Sequence, residues 1–198
     1  MGLQSFRFKT VVADPPWPYS NPGPKPPQLK LDGTLQLGCD VKKQYSTMTM
    51  EDIKALPVSS FLQTNAHLYL WTTNTFMEQA YSVARAWGFR PITIITWGKV
   101  YKDDEERPSM KMGYHYRSAT EHVLFAVRGS LRLTGPAAST LFLHRRLPHS
   151  IKPDGFFQMV EEQSPGPYLE LFARRERPGW DVWGNEVEST ISLSPEQR

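Results

Sequence analysis

Hydrophobic positions along the chain fall into short β-branched and aromatic runs that alternate with stretches of helical period. Lys9-Thr10-Val11-Val12-Ala13 is a β-branched run halted by Asp14 and two prolines. It predicts a buried strand that delivers Asp14 at its carboxyl end. Met50 to Leu56 predicts a short helix behind a Thr49/Asp52 capping box, stopped by Pro57. Ala66 to Thr72 predicts a second buried strand. Thr75 and Glu78 have capping-box spacing, Phe76, Ala80, Val83 and Trp87 follow at helical spacing, and Gly88 supplies a stop. Further strands are predicted at Pro91 to Trp97, Glu121 to Arg128, Leu141 to Leu143, Tyr168 to Ala173 and Trp180 to Trp183. Asp154 to Gln163 is predicted as a helix with Phe156, Phe157 and Val160 on its apolar face. Strands alternating with helical crossovers imply an α/β fold, a mostly parallel sheet covered on both faces. Active residues are then expected at the carboxyl ends of strands.

Between these elements lie two long loops. Prolines at 15, 16, 18, 22, 24, 26 and 27 forbid regular structure, so 18–44 is expected as an active-site loop, although composition alone also permits a proline-rich linker. The second, 99–118, is too charged to pack in a core, and 188–198 is expected as a flexible tail. With 198 residues, the chain is expected to form a single domain. A hydrophobic fraction of 39% with 12% aromatics excludes a disordered chain. The net charge of +3, with basic clusters at Lys42-Lys43, Arg145-Arg146 and Arg174-Arg175-Arg177, is compatible with a polyanionic partner. Cys39 is the single cysteine, which excludes an intrachain disulfide. Neither a membrane-spanning apolar run nor a signal-peptide core is present, and the expectation is a soluble, intracellular protein. The histidines and the cysteine make no metal-binding spacing.

The chemistry concentrates in Asp14-Pro15-Pro16-Trp17. A carboxylate beside a carbonyl whose direction two prolines fix is a rigid pair of acceptors. Such a pair suits an exocyclic amine like that of adenine, whose lone pair must be localised before it attacks. Its interaction with the amine strengthens as positive charge develops on nitrogen. Trp17 is expected to give a flat surface for an extruded base. A strand-ending turn with a buried Trp is the structural alternative.

These residues resemble the MT-A70 family of N6-adenine methyltransferases, and the resemblance covers nearly the whole chain. It continues through Tyr45-Ser46-Thr47-Met48, Leu68-Tyr69-Leu70-Trp71-Thr72, Ile95-Thr96-Trp97-Gly98-Lys99, Glu121-His122, Lys152-Pro153-Asp154, Leu169-Glu170-Leu171-Phe172-Ala173-Arg174 and Gly184-Asn185-Glu186. It implies a Rossmann-like class I methyltransferase domain, permuted so that the catalytic motif precedes the main cofactor-binding strand at Leu169 to Ala173. It implies S-adenosyl-L-methionine as cofactor, bound by Ala13, Asp14, Lys152, Phe172, Arg174, Asn185 and Glu186. Lys152 would meet the methionine carboxylate, and Asn185 with Glu186 the ribose. Asp14, Pro15, Pro16 and Trp17 become the catalytic residues, with Trp17, Tyr45, Tyr114 and His115 at the substrate. The partner implied is nucleic acid, DNA ahead of RNA, with no membrane and with either a homodimer or a partner subunit left open. Family analogy implies a cytoplasmic protein of prokaryotic or phage origin. The segment Arg175 to Gly179 departs from the family's messenger-RNA writer in being shorter and in lacking its His-Asn pair. Two other classes stay open: a non-catalytic nucleic-acid-binding subunit of the same fold, and an enzyme acting on a protein or small-molecule amine.

Overall fold

The computed structural model describes residues 8–19, 28–29, 35–36, 47–110, 115–148 and 151–193. Its strands are β1 (Phe8–Ala13), β2 (Gln28–Leu29), β3 (Leu35–Gln36), β4 (Leu62–Thr72), β5 (Arg90–Val100), β6 (Thr120–Arg128), β7 (Leu141–Arg145), β8 (Tyr168–Leu171) and β9 (Trp180–Trp183). The helices are α1 (Met50–Ala55), α2 (Met77–Ala86) and α3 (Asp154–Gln163). Seven strands form one sheet in the order β7, β5, β6, β4, β1, β8, β9, while β2 and β3 pair separately. β6 runs antiparallel to β4 and β5, and every other neighbouring pair in the large sheet is parallel. This is a mostly parallel, Rossmann-like α/β fold, and the motif strand β1 comes first in the chain, beside β8.

Because successive side chains of a strand face opposite ways, the central strands feed two cores. Val11 and Ala13 of β1, Leu68 and Leu70 of β4 and Leu124 and Ala126 of β6 face Ile53 of α1 and Ala80, Val83 and Ala84 of α2. Val12, Tyr69, Trp71, Val123 and Phe125 face Phe156, Phe157 and Val160 of α3. Both faces are apolar, which is why these strands read as continuous hydrophobic runs.

Several boundaries differ from expectation, each for a local reason. The Thr75/Glu78 capping box does not form; a 3₁₀ turn, Asn74–Phe76, leads into α2 with no side-chain cap. Phe76 is drawn into the core against Trp17, and that contact fixes how the chain enters the helix. The other end follows the forecast. Gly88, at φ +83°, donates its N–H to Arg85 O, and Phe89 donates to Ala84 O, a Schellman closure with Phe89 buried. β8 stops at Leu171 rather than Ala173 because Phe172 turns to φ +63°. The expected tail at 188–198 begins with packed residues: Ile191 and Leu193 are buried in the core, and the Thr190 N–H donates to Val182 O.

A buried polar relay ties β4 to the end of α3. His67 Nε2 lies 3.1 Å from Leu131 O, an acceptor, so Nε2 carries the proton. His67 Nδ1 therefore accepts from the Ser164 hydroxyl at 2.8 Å, and Ser164 Oγ accepts from the Tyr69 hydroxyl at 2.8 Å. Burial holds the imidazole below its ordinary pKa of 6.5, against the opposing pull of the Leu131 carbonyl. The relay's stabilisation is therefore complete above pH 6.5 and is lost as acid protonates the unfolded chain first. His67→Ala is expected to cost roughly 2–3 kcal/mol by stranding buried partners. In denaturant titrations, the wild-type midpoint should fall below pH 6.5 more steeply than that of the variant.

Candidate active site

The directions of the strands decide where the site can be. The carboxyl ends of β1, β4, β5, β7, β8 and β9 and the amino end of β6 meet at one edge of the sheet. A cavity of about 590 Å³ opens there. It reaches from Gly184, past β9, to Arg146, past β7, and so crosses the whole width of the sheet, roughly 29 Å at the usual strand spacing.

Asp14-Pro15-Pro16-Trp17 forms its floor. The Asp14 N–H donates to Leu171 O, and the Trp17 N–H returns to Pro15 O at 2.8 Å, closing a three-residue turn. The Pro16 carbonyl accepts from the Met48 N–H at 3.1 Å. Trp17 is buried, at 3% exposure, stacked on Phe76 with ring centroids 5.6 Å apart. Its indole N–H donates to Trp71 O at 3.1 Å. The exposed aromatic beside the turn is Tyr19, 53% exposed, edge-on to Phe76 and within 3.3 Å of the Thr73 hydroxyl.

Behind the turn stands a ladder of alternating charge. Lys152 Nζ lies 3.0 Å from Asp14 Oδ2 and 3.0 Å from Glu121 Oε2, while Lys99 pairs with Glu121 Oε1. Lys152 also lies over the Trp71 ring, 4.7 Å from its centroid. Burial pushes the Glu121 carboxyl up, but the charges of Lys152 and Lys99 outweigh it and hold the group down at about 2. Burial likewise works against the Lys152 ammonium, and Asp14 and Glu121 together raise it above the ordinary lysine value. Asp14 Oδ1 has no partner among the described residues.

At the other end the chain makes a close approach. Phe172, in its left-handed conformation, packs edge-on against Trp183 at 5.4 Å, and the Ala173 N–H donates to Trp183 O at 3.0 Å. Any Cβ at Gly184 would collide with the Ala173 carbonyl. Arg174 pairs with Glu186 at 2.9 Å.

Asp14, Pro15, Pro16, Trp17, Lys152, Phe172, Arg174, Asn185 and Glu186, all expected from the sequence, line this one cavity. Ala13 is buried between Leu70 and Leu171 and does not line it. His115 is exposed and also lies outside the lining, whereas Tyr45 and Tyr114 fall outside the described residues. Of the second expected loop, Lys99 lines the cavity, but it belongs to β5; the described residues 101–110 fold back on Lys99 and Val100 instead. From the sequence, Glu121 reads as a structural strand residue, Lys99 only as part of a family-like segment and Arg146 only as part of a basic cluster, while Tyr19 carries no signal. The antiparallel course of β6, which puts its first residues at this edge, has no signature in the hydrophobic pattern. Among the described residues, no three His, Cys, Asp or Glu cluster as metal ligands, and no helix is long and apolar enough to cross a membrane.

The MT-A70 family model matches residues 8–186. The chain is similar to the type II methyltransferase M.MunI of Mycoplasma sp, at 26% identity over 98% of this chain and 84% of that protein. It is similar to the human N(6)-adenosine-methyltransferase catalytic subunit METTL3, at 27% identity over 96% of this chain and 30% of that protein. A third relative is the N6-methyladenosine RNA methyltransferase MTA1 of Cryphonectria parasitica, at 28% identity over 91% of this chain and 52% of that protein. The chain thus spans about a third of the human relative and about half of the fungal one.

Two substitutions test this geometry. Glu121→Gln leaves two lysines without their shared carboxylate and should cost about 3 kcal/mol, the low end for breaking a buried pair, because Glu121 keeps 20% exposure. The depressed pKa of Glu121 also predicts that its stabilisation, complete above pH 4.5, fades as the pH falls toward 2, and acid titration of wild type against variant checks this. Gly184→Ala should lower the thermal midpoint through a backbone clash worth roughly 1–3 kcal/mol.

Proposed function

Because this chain belongs to the MT-A70 family, we propose that it is an S-adenosylmethionine-dependent methyltransferase acting on N6 of adenine in nucleic acid. The observation that carries this reading is Asp14 itself. It stands at the carboxyl end of β1 with one oxygen held by Lys152 and the other unpaired among the described residues, beside the rigidly aimed Pro15 carbonyl. The Pro15 carbonyl has one lone pair engaged by Trp17 and a second free to accept. Two fixed acceptors are what an exocyclic amine with two hydrogens requires.

The cavity fits the cofactor. Asn185 and Glu186 offer acceptors for ribose hydroxyls, and Lys152 offers a cation to a carboxylate. The volume of about 590 Å³ falls within the usual range for small-molecule sites. S-adenosylmethionine, when bound, supplies an electrophilic methyl group on positively charged sulfur. Asp14 and Pro15 hold the amine so that its lone pair points away from the ring, and their pull grows as nitrogen becomes positive. Lys152, Glu121 and Lys99 fix the Asp14 carboxylate in place before substrate arrives. The proton released from nitrogen passes to solvent. Trp17 anchors the turn through Trp71 and Phe76, and the exposed Tyr19 is the ring that offers a face to a base. DNA is the polymer we place first, on the family analogy.

Asp14→Ala should lower methyl incorporation into adenine-containing oligonucleotides at least about 100-fold while circular dichroism shows the fold intact. Retained activity would reject the mechanism. Nucleoside mass spectrometry after incubation with single-stranded and duplex DNA and RNA should show N6-methyladenine in one of them, with DNA giving the largest yield.

A further inference from the structure

Among the described residues, four cations line the cavity: Lys99, Lys152, Arg174 and Arg146. Three lining carboxylates answer three of them. Glu121 takes Lys99 and Lys152, Asp14 takes Lys152, and Glu186 takes Arg174. Arg146 is the lining cation with no carboxylate partner among the described residues. It is half-buried in the cavity wall, where leaving a guanidinium without a counter-charge is unfavourable. Its guanidinium therefore keeps its donors available to an anion that enters the cavity.

The backbone there is held in place. The Arg146 N–H donates to Val100 O at 3.1 Å, one rung beyond the end of β7. β7 and β1 run in the same direction, so Arg146 and Asp14 each stand one residue past their strands at the same edge. Four strand spacings, roughly 19 Å, separate the two strands, and the register sets Leu141 rather than Arg146 level with Pro15, so Arg146 stands farther along its strand as well. Both residues line the same cavity. Arg146 also lies six strands from β9, so it is far from Asn185 and Glu186, the acceptors assigned to the cofactor ribose. A flat guanidinium with five donors matches the oxygens of a phosphate.

We propose that Arg146 binds a backbone phosphate of the substrate strand, next to the adenine that reaches Asp14. The inference rests on the nucleic-acid reading above. It makes the β7 end of the cavity the entry for the polynucleotide and the β9 end the cofactor's.

The test is binding of a fluorescent single-stranded DNA carrying one adenine, followed by anisotropy over a series of salt concentrations, with calorimetry of S-adenosylmethionine alongside. Arg146→Ala should weaken oligonucleotide binding about tenfold and reduce the slope of log K against log salt by about 0.7, the loss of one phosphate contact. Cofactor affinity should stay within about twofold. Arg146→Lys should restore the slope while recovering part of the affinity, since a point charge replaces a fork. An unchanged slope in Arg146→Ala overturns the proposal, as does a parallel loss of cofactor affinity, which would give Arg146 to the cofactor's carboxylate. Wild-type protein that binds S-adenosylmethionine yet neither binds nor methylates any oligonucleotide would overturn the nucleic-acid reading itself. Wild type that works beside an indifferent Arg146→Ala would overturn this inference alone.

Discussion

Two carboxylates on strands separated by one other share a single ammonium. Asp14 follows β1 and Glu121 is the second residue of β6, with β4 between them, so the two strands stand about two strand spacings apart, roughly 10 Å. Lys152 closes that gap, 3.0 Å from each. Its own position comes from the start of α3, which Phe156, Phe157 and Val160 press onto the sheet. The geometry of the floor therefore depends on helix packing through one side chain. Without that ammonium, two carboxylates would face each other across the end of β4 with their repulsion offset only by Lys99. The Trp71 ring beneath Lys152 and the Lys99 pairing on the far oxygen of Glu121 complete the constraint.

Most of the scaffold was legible because both faces of the sheet are covered. Runs such as Val11-Val12-Ala13 and Leu68-Tyr69-Leu70-Trp71 announce buried strands without ambiguity, since a solvent-facing strand would alternate in polarity. α3 falls where Phe156, Phe157 and Val160 placed it, and the Gly88 closure of α2 follows from its sequence. The motif at Asp14, Lys152 and the Arg174 to Glu186 segment were also legible, and the fold gathers them into one cavity.

What stayed hidden depends on contacts between elements distant in sequence. Alternating strands and helices suggest a mostly parallel sheet without saying which strand is reversed, and function is then expected at carboxyl ends. β6 breaks that rule, and its first residues, Thr120 and Glu121, arrive at the site from the opposite direction. Hydrophobic periodicity is the same whichever way a strand runs, so Glu121 looked like an ordinary strand residue. Trp17 shows the converse. A tryptophan after two prolines suggests an open platform, but Phe76, from the start of α2, covers one face and Trp71 takes the indole N–H. The same Phe76 contact displaced the expected capping box, so one tertiary interaction accounts for both differences.

The sheet has two edges with separate work. The one opposite the cavity carries the tight Gly88 turn and the ties between the carboxyl end of α3 and the strands, among them the Ser164 relay to His67 and the Thr10 hydroxyl on Pro165 O. Much of the holding is done at this edge, although Trp17 and the pairs of Glu121 with its two lysines tie the cavity edge to the fold as well. At the cavity edge, the described residues after β1 are tied into the core through Trp17 and Met48, and those after β5 fold back on Lys99 through Ser109. A lineage built on this sheet can thus acquire new target preferences by rewriting loops only between such anchors.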